Sequence, residues 1–133
     1  MTTQISQTEE TRAVVTAFYD AIIAADVPAF AAVSSKDLVV HQPAFLPYGA
    51  TYRGLDTFIG LFDTFAKYYD LTQIRCDHLV ADGDRAFGVM RVPVLTNGQD
   101  VLFAEQVVVR DGLVVELRIF VHEAQTMLDG PKS

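Results

Sequence analysis

The apolar positions of this chain change period once. Up to Tyr69 they recur every three to four residues, and from Leu71 onward they alternate. Val15, Phe18, Ile22 and Ala25 keep helical spacing behind Ser6-Gln-Thr-Glu9, which has the form of a capping box, so a first helix is predicted over 7–25. Asp26-Val-Pro28 restarts the chain with a capping aspartate and an early proline, which predicts a short second helix over 28–33 ending at Ser34-Ser35. Residues 38–41 read as a short strand. Leu55, Phe58, Phe62, Phe65 and Tyr69 then predict a third helix over 55–69 with an aromatic face.

The alternation predicts four strands, at about 71–80, 86–96, 101–110 and 113–122, joined at Asp82-Gly83-Asp84, Asn97-Gly98 and Asp111-Gly112. Helices first and an antiparallel meander after make one α+β domain spanning 1–133, with its core over about 8–127. Counting from a two-residue turn at Asp111-Gly112 sets Glu105 opposite Arg118, Phe103 opposite Phe120 and Val101 opposite His122, all on one face. The same count about Asn97-Gly98 brings Met90 opposite Glu105 and Val92 opposite Phe103. A face mixing Met90, Phe103, Glu105, Arg118, Phe120 and His122 suits the side covered by helices, where a ligand pocket needs aromatic and ionisable groups. The blander face, with Leu102, Ala104, Val108, Val115, Leu117, Ile119 and Val121, is too apolar to face water and suits a two-fold homodimer through the outer sheet face.

Between the second predicted helix and the third runs His41-Gln-Pro-Ala-Phe-Leu-Pro-Tyr-Gly-Ala-Thr-Tyr-Arg-Gly54, where two prolines and two glycines forbid regular structure. Phe45, Tyr48 and Tyr52 are large for a solvated loop, so the segment reads as the wall of a pocket. Phe62 on the third helix faces the same space.

Composition removes several functions. A net charge of −7 and pI near 4.7, without a basic stripe, exclude nucleic acid and anionic membrane as partners. No apolar run reaches the roughly 18 residues of a membrane span and the start has no leader pattern, so a soluble cytoplasmic protein is expected. Cys76 has no second cysteine to pair with and reads as a small core residue. Without a Gly-rich phosphate loop, paired helical histidines or a nucleophile elbow, no cofactor and no metal is expected, which leaves a small apolar ligand as the partner.

Two readings of Glu105 and Arg118 stand side by side. They form a cross-strand ion pair that merely satisfies two charges, or the arginine keeps Glu105 ionised so that it accepts a proton or orients a water. His122, at the end of the last strand, is a candidate proton carrier or a strand-end histidine held by backbone. His41, Tyr48 and Tyr52 are candidate hydrogen bonders to a ligand oxygen, or rings that pack the loop onto the body.

Phe18-Tyr19 in the first helix, Ala-Ala-Asp26 before the second, Pro-Tyr-Gly and Tyr-Arg-Gly54 before the third, and Asp-Gly before the last strand together resemble the nuclear transport factor 2-like superfamily. The resemblance is to its SnoaL-like branch, which includes polyketide cyclases, limonene epoxide hydrolase and relatives of ketosteroid isomerase, and it spans about residues 8–127. It implies a cone-shaped α+β barrel, three N-terminal helices on a curved, mainly antiparallel sheet, with a deep apolar pocket and usually a homodimer. Aligned to the steroid isomerases, Phe18 stands at the oxyanion tyrosine, Gln42 at the base and Glu105 at the protonated acid. The similar epoxide hydrolases place carboxylates at the positions of Glu105 and His122, and the cyclases an acid/base aspartate at His122. The resemblance thus implies a cofactor-independent isomerase, cyclase or epoxide-hydrolase-like enzyme, with His122, Glu105 and Arg118 as catalytic candidates. The alternative is a non-catalytic ligand-binding or dimerisation module of the same fold.

Overall fold

The computed structural model describes residues 3–122, with side chains from Gln7 onward. The predicted core limit at residue 127 lies outside the described residues. Helix α1 (Thr3–Ile23) is followed by α2 (Val27–Ala32), strand β1 (Ser34–His41), strand β2 (Thr51–Arg53) and α3 (Leu55–Phe65). A 3₁₀ turn, Leu71–Gln73, leads into β3 (Arg75–Asp82), β4 (Arg85–Pro93), β5 (Asp100–Arg110) and β6 (Leu113–Val121). The strands form one open sheet in the order β2-β1-β6-β5-β4-β3, antiparallel throughout except where β1 runs parallel to β6.

The predicted α+β order holds, with local differences that have physical causes. Helix α1 begins at Thr3, so Ser6 lies inside it and not at its cap. At α2 the Asp26 carboxylate accepts from the Ala29 amide at 3.1 Å, with proline in the first turn, as predicted. β1 starts four residues early at Ser34, whose hydroxyl donates to the Phe30 carbonyl at 2.8 Å. Helix α3 stops at Phe65 because the chain after it is captured by the sheet: Leu95 donates to the Tyr68 carbonyl, Asp70 to the Pro93 carbonyl, and Tyr69 bridges to Val94. The Asp70 carboxylate then caps the 3₁₀ turn, which replaces the first part of the predicted third strand.

One core joins the layers. Phe18 packs on Phe30 with centroids 4.9 Å apart, Phe30 on Phe58 at 5.7 Å, Phe58 on Phe62 at 5.2 Å, Phe62 on Phe65 at 5.5 Å and Phe65 on Tyr48 at 5.2 Å. This aromatic run ties α1, α2, α3 and the loop together, each pair adding about 0.5–1.5 kcal/mol beyond its buried area.

Register decides what reaches the interior. The Asn97-Gly98 connection is longer than a two-residue turn, since Gly98 donates to the Val94 carbonyl and Pro93 pairs with Asp100. Met90 therefore faces Phe103 and Gly88 faces Glu105, two residues from the predicted partners, which leaves every side chain on its predicted face. Asp111 and Gly112, with φ of 53° and 76°, do form the two-residue turn, and Arg110 faces Leu113 as predicted. Val109 pairs with Val114 but Val108 pairs with Glu116, so Val115 is an extra residue, a β-bulge. One inserted residue turns the rest of β6 over. Leu117, Ile119 and Val121 face the helices, while Glu116, Arg118 and Phe120 face outward.

Candidate active site

Glu105 sits in the middle of β5, 9% exposed, on the helix-covered face with Phe103 and Val107. Opposite it is Gly88 of β4. A Cβ at Gly88 would overlap the ring and hydroxyl of Tyr19, so only glycine lets α1 lay Tyr19 across the sheet at this point. Tyr19 is thereby brought beside Glu105. The Tyr19 hydroxyl and Glu105 Oε1 are both buried and lie beside each other; neither makes a well-formed hydrogen bond, yet the hydroxyl is near enough to act on the carboxyl. Burial pushes the Glu105 carboxyl up from its ordinary 4.5 to about 7, and the neighbouring Tyr19 hydroxyl pulls the other way. Burial raises the Tyr19 hydroxyl far above its usual range, with the Glu105 charge adding to it, so Tyr19 stays a neutral donor. The Cys76 thiol, also pushed up by burial, donates to the His78 carbonyl at 3.3 Å.

Glu105 lines an apolar cavity of about 70 Å³. Its sheet side is Met90, Val92, Phe103 and Ile119; its helix side is Ile22, Phe58, Phe62 and Phe65, closed by Leu71 and Ile74. Gln42, Tyr48 and Tyr69 complete the wall. The Tyr48 and Tyr69 hydroxyls are 2.7 Å apart, and Tyr52 donates to the Tyr48 carbonyl at 2.7 Å, pinning the loop. Burial raises both Tyr48 and Tyr69, so the pair keeps two protons and uses one between its oxygens. The other proton is free to be donated to a ligand. Among the described residues Glu105 is the one carboxyl in the cavity wall.

Of the predicted site residues, Tyr48, Phe62, Met90, Phe103 and Glu105 meet at this cavity. Tyr52 supports Tyr48 from behind, and Phe18 is wholly buried in the core, one residue out of phase with the helix position that reaches Glu105. Three predictions are corrected by the bulge. Arg118 pairs with Gln106, not Glu105, and is exposed; Phe120 is 48% exposed on the outer face; His122 is exposed just past β6, held by its amide to the Leu102 carbonyl at 3.1 Å. The predicted Glu105–Arg118 pair is therefore absent. His41 is corrected as well: it is the last residue of β1, with Nε2 2.7 Å from Glu116 Oε2 and Nδ1 3.0 Å from Thr51 Oγ1, away from the cavity. Tyr19, Tyr69 and Ile119 were not anticipated as site residues. Gly88 was the available signal for Tyr19, because a lone glycine inside an alternating strand marks a close approach.

Three helices on an open six-stranded mixed sheet define the cone-shaped α+β class. The chain belongs to the SnoaL-like domain family, whose model matches residues 15–117, and it has the nuclear transport factor 2-like fold. Solved structures share the fold. Bal32a, from a soil-derived mobile gene cassette, is 15% identical with a TM-score of 0.83, covering 95% of this chain and 99% of that one. A putative ketosteroid isomerase from Kribbella flavida DSM 17836 is 21% identical with a TM-score of 0.76, covering 96% and 86%. An NTF2-like protein from Burkholderia xenovorans LB400 is 20% identical with a TM-score of 0.76, covering 94% and 98%. No curated protein matches the chain by sequence.

Proposed function

We propose that this protein is a cofactor-independent isomerase that shifts a proton between two carbons of a small apolar carbonyl compound, with Glu105 as the proton carrier. The observation that carries the reading is a single buried, unpartnered carboxyl oxygen in the wall of an apolar cavity, on a group that titrates near neutrality. One such group suits a shuttle in which the same carboxyl takes a proton and returns it. On a β,γ-unsaturated ketone, the Glu105 carboxylate removes the proton between the carbonyl and the double bond, the electrons move onto the carbonyl oxygen, and a dienolate forms. Return of the proton to the γ-carbon re-forms the carbonyl and gives the conjugated enone, with nothing added or lost. The spare proton of the Tyr48–Tyr69 pair, with the Gln42 amide, is the donor set for the oxygen while it carries charge. Tyr19 positions Glu105 and tunes its titration.

The same reading assigns the outer sheet face to a second copy of the chain, supported by Val80, Phe87 and Phe120, which are 61%, 43% and 48% exposed there. The test of function is the rise in ultraviolet absorbance as β,γ-unsaturated ketones become conjugated. Glu105→Gln should lose about 10²-fold or more in rate, and His122→Ala, on the exposed side, should keep it. Ligand binding without turnover in the wild type would refute isomerisation and leave a non-catalytic binding module of the same fold.

A further inference from the structure

A second hollow, of about 610 Å³, lies between the end of α1, the start of α2, α3 and the 3₁₀ turn. Ile22, Phe62, Leu71 and Ile74 belong to its wall and to the wall of the 70 Å³ cavity at once. Those four side chains are all that the two spaces share, and all four are partly exposed, not locked in the core. The outer cleft is apolar with an acidic fringe: Ile23 and Val27 are 38% and 49% exposed, and Asp26 and Asp63 are part of the same lining. An apolar face of this size beside a chamber with an unpartnered carboxyl oxygen calls for one ligand that occupies both.

We propose that the outer cleft is the tail subsite of the ligand whose carbonyl end enters the Glu105 cavity, and that this ligand is an uncharged, open-chain carbonyl compound. The assignment rests on the reading of the Glu105 cavity as the reacting chamber. The inner space is smaller than the roughly 150 Å³ of a cavity that accepts benzene, so a head without rings enters with the wall as it stands. The shared wall of Ile22, Phe62, Leu71 and Ile74 is what the tail would have to part to reach the cleft, where length adds contact. Asp26 and Asp63, on a chain of net charge −7, disfavour a carboxylate, phosphate or coenzyme-linked anion there.

The test uses saturated methyl ketones, which bind without reacting. Calorimetric affinities for butan-2-one through dodecan-2-one should tighten up to about fourfold per methylene buried until the cleft is full. Gly60, exposed on α3 in the cleft wall, has open space where a Cβ would go, so Gly60→Phe fills the cleft in a helix that tolerates the change. That variant should weaken decan-2-one at least tenfold and leave butan-2-one unchanged. Asp63→Lys, at an exposed position, should improve decanoate binding by a larger factor than it changes decan-2-one binding. Affinity independent of chain length, equal weakening of short and long ketones by Gly60→Phe, or wild-type decanoate binding as tight as decan-2-one would each overturn the proposal. Turnover of short enones without any length dependence would sink the tail subsite alone. Length-dependent binding without turnover of any enone would sink the isomerase alone.

Discussion

A carboxyl that titrates near 7 in the folded protein makes the protein less stable as pH rises, and replacing it should remove that loss. Below pH 4.5 Glu105 is protonated both folded and unfolded, and its burial as an acid adds no pH dependence. Between 4.5 and about 7 the unfolded chain gives up the proton while the folded chain holds it, so stability falls with rising pH. Above 7 both states are ionised and the full cost is present, about 3 kcal/mol from the distance between the two titrations. Glu105→Gln keeps the volume and carries no charge at any pH. A buried amide lacking partners costs about 1–3 kcal/mol of its own, but equally at all pH values, so the informative quantity is the difference between variant and wild type as pH changes. Thermal melts from pH 4 to 9 should show that difference moving in favour of the variant by about 3 kcal/mol, on the order of 10 °C in Tm for a domain of this size. The other carboxylates titrate in both proteins and cancel. A difference that stays constant across the range refutes the claim that Glu105 is buried without a partner.

Tyr19→Phe removes the hydroxyl that pulls the Glu105 titration down, so the inflection of the same melt series, and of any pH–rate profile, should move above 7 while the ring keeps the fold. Gly88→Ala puts a Cβ into the Tyr19 ring and should destabilise by about 1–3 kcal/mol in denaturant titration, an effect that Tyr19→Phe does not relieve because ring carbons are overlapped too. At the outer sheet face, Phe87→Glu should convert a species sedimenting at twice 14.7 kDa into one at 14.7 kDa. A wild type that sediments at the monomer mass at high concentration would end the dimer assignment.

Much of this fold was legible because the period of the apolar residues changes once, from helical to alternating, and the helices and strands follow that change. Asp111-Gly112 was legible for a local reason, since both residues adopt the left-handed backbone that a two-residue hairpin turn requires. The spacing of Tyr69 from Phe65 fits the end of a helix; the backbone bonds that draw this segment to the sheet, Leu95 to Tyr68 and Asp70 to Pro93, join residues distant in sequence. Spacing selects Phe18 and not Tyr19 because an apolar face defined that way locates a helix stripe only to within a residue or so. The close approach over Gly88 decides the phase, and it is a tertiary fact.

The last strand holds the larger lesson. In Leu113-Val-Val-Glu-Leu-Arg-Ile-Phe-Val121 the uniformly apolar set is Leu117, Ile119 and Val121, and the set carrying charge is Glu116 and Arg118. Alternation alone sends the first set inward. A count from the turn, carried through without a bulge, sends the second, and the mixture of aromatic and ionisable residues it gathers is what a ligand pocket needs. The bulge at Val115 restores the apolar set to the core and leaves Glu105 without a countercharge. On the inward stripe Val101, Phe103, Glu105, Val107, a carboxylate is costly wherever the register falls, and a nearby arginine is what a purely structural role would require. Its lack of a countercharge is therefore the argument for use: a cavity wall that keeps an acid near its own titration point, with only the Tyr19 hydroxyl beside it, holds a proton within reach of a ligand.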